Sequence, residues 1–277
     1  DAVKDLAQGV GMVVPDADDK IPPAQRAQNQ AQALALSDAL TQACDFYRAQ
    51  LRTAPNAIEY LKKRGLTGEV AARFGMGYSP SGWDNLRSVF PDYDALALVE
   101  CGLVIDKVDE EGTRVKRYDR FRERIMFPIR NVKGQVIGFG GRVLDQGEPK
   151  YLNSPETPLF QKGLELYGLF EARQSIRDAG YVLVTEGYMD VVALAQLGFP
   201  QAVATLGTAC TSTHVQKLLR QTDTVIFSFD GDKAGRKAAR RALEACLPQV
   251  SDDKVIKFLF LPQEHDPDCF VRERGFE

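Results

Sequence analysis

The spacing of apolar and polar residues predicts helices and antiparallel strands in the first part of the chain. Between residues 34 and 53, apolar side chains recur every three to four positions, a spacing typical of an amphipathic helix. A second, short helix is predicted over residues 57–64, because Gly65 follows it as a C-terminal cap. The runs LVIDKV, RIMFPIRN and QVIGFGGRVL then indicate strands, and Val132-Lys133-Gly134 between the last two predicts a hairpin.

A different pattern begins near residue 171, where short apolar runs alternate with helical periodicity. YVLVTEG, QAVATLG, TVIFSFDG and VIKFLFLP predict strands, and MDVVALAQLG, THVQKLLRQT and GRKAARRALEA predict the helices between them. Such alternation predicts a mostly parallel sheet flanked by helices. We therefore predict an α/β protein with a linker over residues 1–33, an α+β subdomain over 34–170 and a parallel-sheet domain over 171–277.

Net charge, cysteine spacing and the length of the apolar runs exclude several classes of protein. The 277 residues carry a net charge of −3, so nucleic-acid binding would require a local basic patch. The five cysteines are widely spaced with no CxxC pair, which favours reduced thiols over disulfides. The two histidines have no metal-ligand spacing with these cysteines, which argues against a structural zinc ion. No apolar run is long enough for a membrane span. We expect a cytoplasmic protein with no membrane contact, and we expect Trp83, Phe121, Phe127 and Phe139 to belong to the core.

Acidic residues follow three of the predicted parallel strands. Since ligands bind at the carboxyl ends of such strands, these carboxylates are expected at one edge of the sheet. Packed there, they would repel one another unless a divalent cation neutralised them, and Mg²⁺ or Mn²⁺ prefers oxygen ligands of this kind. The candidate metal ligands are Glu186, Asp190, Asp230, Asp232, Asp266 and Asp268.

Each acidic group also has a simpler interpretation. Asp232 is a favourable N-cap for the helix that follows it, Asp266 and Asp268 suit a helix-start turn, and Glu186 and Asp190 suit an exposed helix face. A calcium-binding loop is excluded, because the twelfth position of a loop that begins at Asp230 is Arg241 rather than Glu. The basic residues of the next helix are either a solvated face or a phosphate-binding surface. The coincidence of three acidic groups favours the metal interpretation.

Several stretches resemble a known family. TEGYMD, followed about 40 residues later by FDGDKAG, resembles the Toprim signature of primases, topoisomerases and some nucleases. KRGL (63–66), RYDRFRERIMFPIRN (117–131), GFGGRVL (138–144) and PKYLNSPETPLFQKG (149–163) are similar to the catalytic core of bacterial DnaG-type primases. The resemblance covers nearly the whole chain from residue 34 onward. It implies that residues 171–277 are a Toprim domain followed by a helical subdomain, which is truncated here.

The resemblance implies an enzyme that copies single-stranded DNA into short RNA primers during replication. A ribose 3′-hydroxyl attacks the α-phosphate of a ribonucleoside triphosphate, with Mg²⁺ as cofactor and Mn²⁺ as a substitute. The six acids would hold the metal, with Glu186, Asp190, Asp230 and Asp232 as the catalytic set; a general acid/base role for Glu186 stays open. The basic ridge that binds template, primer and nucleotide would comprise Arg64, Arg142, Lys150, Tyr151, Asn153 and Lys162.

The basic stretch 114–124 fits either nucleic-acid contact or an exposed hairpin with internal ion pairs. The resemblance also implies a monomer in the bacterial replisome. It would contact a replicative helicase through a domain absent here, and single-stranded DNA-binding protein is a further candidate partner. Two alternatives stay open: another Toprim enzyme, such as a nuclease or topoisomerase fragment, and a non-catalytic Toprim binding module. The full set of acids and the primase-like first half favour the primase.

Overall fold

The structure, a computed structural model, describes residues 22–145, 147–229, 233–262, 265 and 267–274. The chain divides into two units, Asp1–Ala35 and Leu36–Glu277. The first helix, α1 (Pro23–Arg52), begins within the stretch predicted to be a linker. The alanines and glutamines of that stretch are good helix formers, and proline is tolerated in a first turn, which explains the earlier start. From Leu36 onward its buried residues, including Leu40 and Tyr47, follow the predicted helical spacing.

The first half of the second unit is α+β, as predicted. Its helices are α2 (Pro55–Lys63), α3 (Gly68–Arg73) and α4 (Leu96–Glu100). Its strands are β1 (Gly77–Ser79), β2 (Val104–Val108), β3 (Arg114–Asp119), β4 (Arg124–Arg130), β5 (Val136–Val143) and β6 (Tyr151–Asn153). An antiparallel sheet has the order β1-β4-β5-β6, and β2 and β3 form a separate antiparallel pair. The predicted hairpin between β4 and β5 is confirmed by the backbone hydrogen bond from Asn131 to Gln135.

The second half alternates helices and strands. The helices are α5 (Leu169–Ala179), α6 (Tyr188–Gln196), α7 (Ser212–Leu219), α8 (Lys233–Cys246) and α9 (Pro267–Arg274). The strands are β7 (Tyr181–Thr185), β8 (Ala202–Ala204), β9 (Thr224–Phe229) and β10 (Val255–Phe260). They form a sheet of order β10-β9-β7-β8 in which every pair is parallel, which confirms the predicted parallel sheet.

A shared hydrophobic core joins the two sheets. Phe127 of β4 packs with Tyr188 and Val191 of α6, and its ring stacks on Tyr188 with centroids 5.3 Å apart. Tyr167 also pairs its backbone with Ala204 at the end of β8. The antiparallel sheet is therefore packed directly against the helix that follows β7. In the described part of the chain, no helix combines the length and the apolar character that crossing a bilayer requires.

Candidate metal centre and nucleic-acid interface

The parallel sheet brings the ends of the three acid-bearing strands to one edge. β9 lies between β7 and β10, and all three run in the same direction. Thr185 ends β7 directly before Glu186, and Phe229 ends β9 directly before Asp230. Phe260 ends β10 in register with Phe229. Asp230, Asp232 and Asp266, and the side chain of Asp268, lie outside the described residues. The metal-ligand assignment stays a prediction for all six acids.

Glu186 and Asp190 occupy the described part of this edge. Glu186 is exposed, and Asp190 is half-buried in the first turn of α6, where the helix dipole favours a negative charge. Gly187 is the N-cap residue between them, and a Cβ atom there would lie 2.8 Å from Asp190 Oδ2. A larger residue would push the Asp190 carboxylate away. The two carboxylates supply oxygen donors, the ligand type that suits Mg²⁺ or Mn²⁺.

Two aromatic residues and a buried arginine lie beside this edge. Arg142 of β5 is only 5% exposed, and its Nη1 donates to the hydroxyl of Tyr151 over 2.9 Å. Its guanidinium lies 5.3 Å from the Tyr151 ring centroid and 5.7 Å from that of Tyr60. Arg142 Nε is buried without a hydrogen-bond partner in the described structure. Burial raises the pKa of Tyr151, the Arg142 guanidinium opposes this rise, and the negative charge of Asp190 adds to it.

Asn153 connects the two sheets. Its Oδ1 accepts a hydrogen bond from the Tyr188 hydroxyl at 2.8 Å, and its Nδ2 donates to Leu206 O at 2.9 Å. Its backbone carbonyl accepts from Arg120. Tyr188 reaches it because Gly140 has no side chain: a Cβ there would lie 2.5 Å from the Tyr188 ring. The structure therefore gives Asn153 a positioning role in addition to the predicted contact with nucleic acid.

The other residues predicted for the basic ridge lie around this centre. Arg64 is exposed, with its guanidinium 5.7 Å from the Tyr60 ring, so Arg64 and Arg142 flank the same aromatic residue. Lys150 is exposed and directly precedes β6. The backbone after Arg64 is held by α6, because Gln196 Nε2 donates to Gly65 O over 2.5 Å. Gln196 Oε1 also accepts from the backbone N–H of Thr67 at 2.7 Å.

Lys162 lies on a loop fixed by a buried histidine. His214 Nδ1 accepts from the backbone N–H of Thr211 at 3.2 Å, so its Nε2 carries the proton and donates to Lys162 O at 3.0 Å. The Thr211 hydroxyl donates to Gly163 O over 2.7 Å. Burial lowers the pKa of His214 below its ordinary value, and the neutral ring is the form that these hydrogen bonds require. The start of α7 therefore positions the Lys162 loop.

A basic aromatic groove was not predicted from the sequence. Trp83 is 52% exposed, so its assignment to the core was wrong, whereas Phe121, Phe127 and Phe139 are buried as predicted. Lys116 Nζ lies 3.8 Å from the Trp83 ring centroid and the Arg122 guanidinium 4.2 Å from it. Tyr118 meets the indole edge to face at 5.4 Å. Trp83, Tyr118 and Arg122 line a cavity of about 600 Å³. Such a groove suits stacking of single-stranded bases.

The basic stretch 114–124 contains the internal ion pairs of one interpretation that the sequence left open, and nucleic-acid contact stays a prediction. Arg117 forms a two-pronged ion pair with Asp106, with both N–O distances 2.6 Å, and Arg124 is buried against backbone carbonyls. Lys116 and Arg122 instead contact Trp83. The alternation of β3 explains part of this division, since Lys116 and Tyr118 share one face of the strand and Arg117 the other. The alternation of side chains along β3 is therefore the sequence pattern from which the groove could have been predicted.

The second half of the chain matches a known family of protein domains. Residues 183–271 match the Toprim-like family model, and the parallel sheet with acids at its carboxyl edge agrees with it. The protein therefore contains a Toprim-type domain, and such domains use divalent metal ions. Residues 46–173 match the model of the DNA primase catalytic core, N-terminal domain.

Known proteins match both halves together. A DNA primase of Neisseria meningitidis is 56% identical over 276 residues, covering 99% of this chain and 46% of that protein. A DNA primase domain from Pseudomonas aeruginosa matches with a TM-score of 0.81 at 53% identity, covering 87% of this chain and 75% of the solved one. A DnaG primase catalytic domain bound to ssDNA matches with a TM-score of 0.82 at 48% identity, covering 89% and 79%. The chain belongs to the DnaG-type DNA primase family. It spans less than half the length of the curated relatives it matches.

Proposed function

We propose that this chain is the catalytic core of a DNA primase, which makes short RNA primers on single-stranded DNA from ribonucleoside triphosphates. The identity of 56% to a DNA primase over 99% of the chain carries the proposal. The hydrogen bond from Tyr188 to Asn153 supports it, because it joins the helix of the acidic edge to the strand that carries Tyr151. A solved relative is bound to single-stranded DNA, which supports single-stranded DNA as the proposed template.

In the proposed reaction, a 3′-hydroxyl oxygen releases its proton to solvent and forms a bond to the α-phosphorus of the incoming nucleotide. The bond from that phosphorus to the bridging oxygen breaks, and pyrophosphate leaves with the electron pair. Bound Mg²⁺, for which Mn²⁺ can substitute, would neutralise phosphate charge and lower the pKa of the hydroxyl. The residues proposed to hold it are Glu186, Asp190, Asp230, Asp232, Asp266 and Asp268.

The remaining predicted residues are proposed to orient the substrates. Arg64, Lys150 and Lys162 would pair with phosphates of template, primer or nucleotide. Arg142 and Asn153 would hold Tyr151 and the neighbouring strand in place, so that the Tyr151 ring can contact a base or ribose. Trp83 and Arg122 would contact single-stranded template in the basic aromatic groove. We also propose that the boundary between the primase-specific domain and the Toprim domain lies near residue 170.

In the cell, this core is proposed to act in the cytoplasmic replisome. Helicase contact is proposed for the complete protein, whose curated relatives are about twice as long as this chain.

Template-directed synthesis tests the proposal. The purified chain is given single-stranded DNA, labelled ribonucleotides and Mg²⁺ or Mn²⁺, alongside the Glu186→Gln and Asp230→Asn variants. Short RNA products are expected from the wild-type chain and not from either variant. Asp178→Asn is the matched control, because Asp178 is an exposed acid whose recorded contact is with Gln174, and it should retain activity. Nicking of DNA without any RNA product would instead indicate another Toprim enzyme.

A further inference from the structure

A second cavity lies at the carboxyl edge of the parallel sheet. It has a volume of about 380 Å³ and is lined by the ends of β7 and β9, by the loop after β8 and by α8. Glu186, one of the predicted metal ligands, is part of its lining. The loop contributes Thr205 and Thr208, whose hydroxyl groups are hydrogen-bond donors. Val184, Phe227 and Phe229 also line the cavity, which is therefore partly polar and partly apolar.

Two cations of α8 also line this cavity. Lys237 and Arg241 are exposed and lie one helical turn apart, so both point to the same side of the helix. Other basic residues of α8 have contacts within the protein: the Arg236 guanidinium lies 5.5 Å from the Phe260 ring, and Arg240 Nε pairs with Glu244 at 3.3 Å. Across the described residues, neither Lys237 nor Arg241 forms an ion pair or a hydrogen bond. Two cations without an ion pair in the described structure, beside a cavity with hydroxyl groups in its lining, favour an anionic ligand.

We propose that this cavity receives the β- and γ-phosphates of the incoming ribonucleotide, with Lys237 and Arg241 as their ligands. The inference rests on the proposed function and adds residues that the family resemblance did not supply. As the bond between the α-phosphorus and its bridging oxygen breaks, negative charge grows on the leaving pyrophosphate. Cations fixed beside that charge stabilise the transition state more than the ground state. The same site holds pyrophosphate after the transfer.

Binding of inorganic pyrophosphate tests this without requiring primer synthesis. Calorimetric titrations in Mg²⁺ compare the wild-type chain with the double variant Lys237→Gln/Arg241→Gln. Loss of two charge-assisted contacts should weaken binding at least about tenfold. The matched control is Lys133→Gln/Arg240→Gln, which removes one lysine and one arginine outside the cavity and should bind pyrophosphate like the wild type. Circular dichroism and thermal unfolding verify that the variants are folded.

Affinity for single-stranded DNA, measured by fluorescence anisotropy, completes the test. The double variant should bind DNA as the wild type does, while its apparent KM for ribonucleotides rises. Equal pyrophosphate binding by the wild type and the double variant overturns the inference, as does absence of pyrophosphate binding by the wild type. A loss of DNA affinity with pyrophosphate binding intact also overturns it and assigns the cations to the template. A different result would contradict the proposed function itself, namely the absence of RNA products from the wild-type chain.

Discussion

The Tyr188 hydroxyl donates a 2.8 Å hydrogen bond to Asn153 Oδ1, and this bond joins the helix of the acidic edge to the last strand of the antiparallel sheet. Tyr188 lies two residues after Glu186 and two before Asp190, and Asn153 lies two residues after Tyr151. Movement at either residue would therefore change the separation between the proposed metal centre and the aromatic basic surface. Buried groups in such a network are held in one arrangement, because an unpaired polar atom there is costly.

Replacing Tyr188 by Phe tests this connection. The variant leaves the amide of Asn153 with an unpaired acceptor, so the free energy of unfolding should fall by about 1–3 kcal/mol in urea titrations. Primer synthesis should fall as well. Tyr181→Phe is the matched control, since it removes the partner of Gln201 at the opposite end of β7, and it should leave primer synthesis unchanged. Full activity in Tyr188→Phe would contradict a positioning role for this bond.

Replacing Gly187 by Ala should disturb the metal site. The added Cβ would lie 2.8 Å from Asp190 Oδ2, which is closer than van der Waals contact allows, so the carboxylate must move. Mn²⁺ affinity, measured by electron paramagnetic resonance, should fall together with primer synthesis. Gly68→Ala serves as the control, because a Cβ at Gly68 meets no atom within 4 Å. Wild-type Mn²⁺ affinity in the Gly187 variant would argue against Asp190 as a ligand.

Replacing Trp83 by Ala should weaken binding of single-stranded DNA. Base stacking on an aromatic side chain contributes about 1–3 kcal/mol per base, and anisotropy titrations at fixed salt would measure the loss. Stability should change little, since the indole is half exposed. Phe170, which is 39% exposed and lies outside the groove, gives the control variant Phe170→Ala. If both variants bind DNA like the wild type, the groove is not a template site.

His214 should make stability depend on pH below neutrality. Its folded pKa is lowered from the ordinary 6.5, chiefly by burial, with Lys217 acting in the same direction. The unfolded chain therefore binds the proton more readily than the folded one. Its stabilising effect is complete above pH 6.5, is lost as the pH falls towards the folded pKa, and changes no further below it. Urea unfolding across this range should show a decline that is absent in His214→Gln. Parallel profiles for the two proteins would refute the assignment.

The parallel sheet was predictable because its strands are nearly continuous apolar runs that alternate with helical periodicity, and acidic residues follow three of the four strands. Because the strands are parallel, their carboxyl ends lie at the same edge of the sheet, and ligands bind at that edge. The helical start at Pro23 was missed because proline and glutamine in sequence also suit a linker, although alanine-rich segments form helices readily.

The surroundings of single polar residues were harder to predict. Trp83 looked like a core residue, yet its exposed ring is held by Lys116 and Arg122, which lie more than 30 residues away in the sequence. Asn153 was identified from the family motif, but its bond to Tyr188 depends on the packing of one sheet against the other. His214 gave no signal at all, because a lone histidine in a helical pattern does not reveal which loop carbonyl it will meet.

Helix α6 has Asp190 in its first turn, and its last residue, Gln196, bonds the backbone on both sides of Leu66. An α-helix rises about 1.5 Å per residue, so the six steps between these residues act as a spacer of about 9 Å. The spacer links the acidic edge to the loop that carries Arg64. Inserting one residue between them would lengthen it by about 1.5 Å and turn its end by about 100°. The length of this helix therefore sets the distance between the proposed metal centre and the Arg64 loop, and loops elsewhere on the surface are better places for insertions.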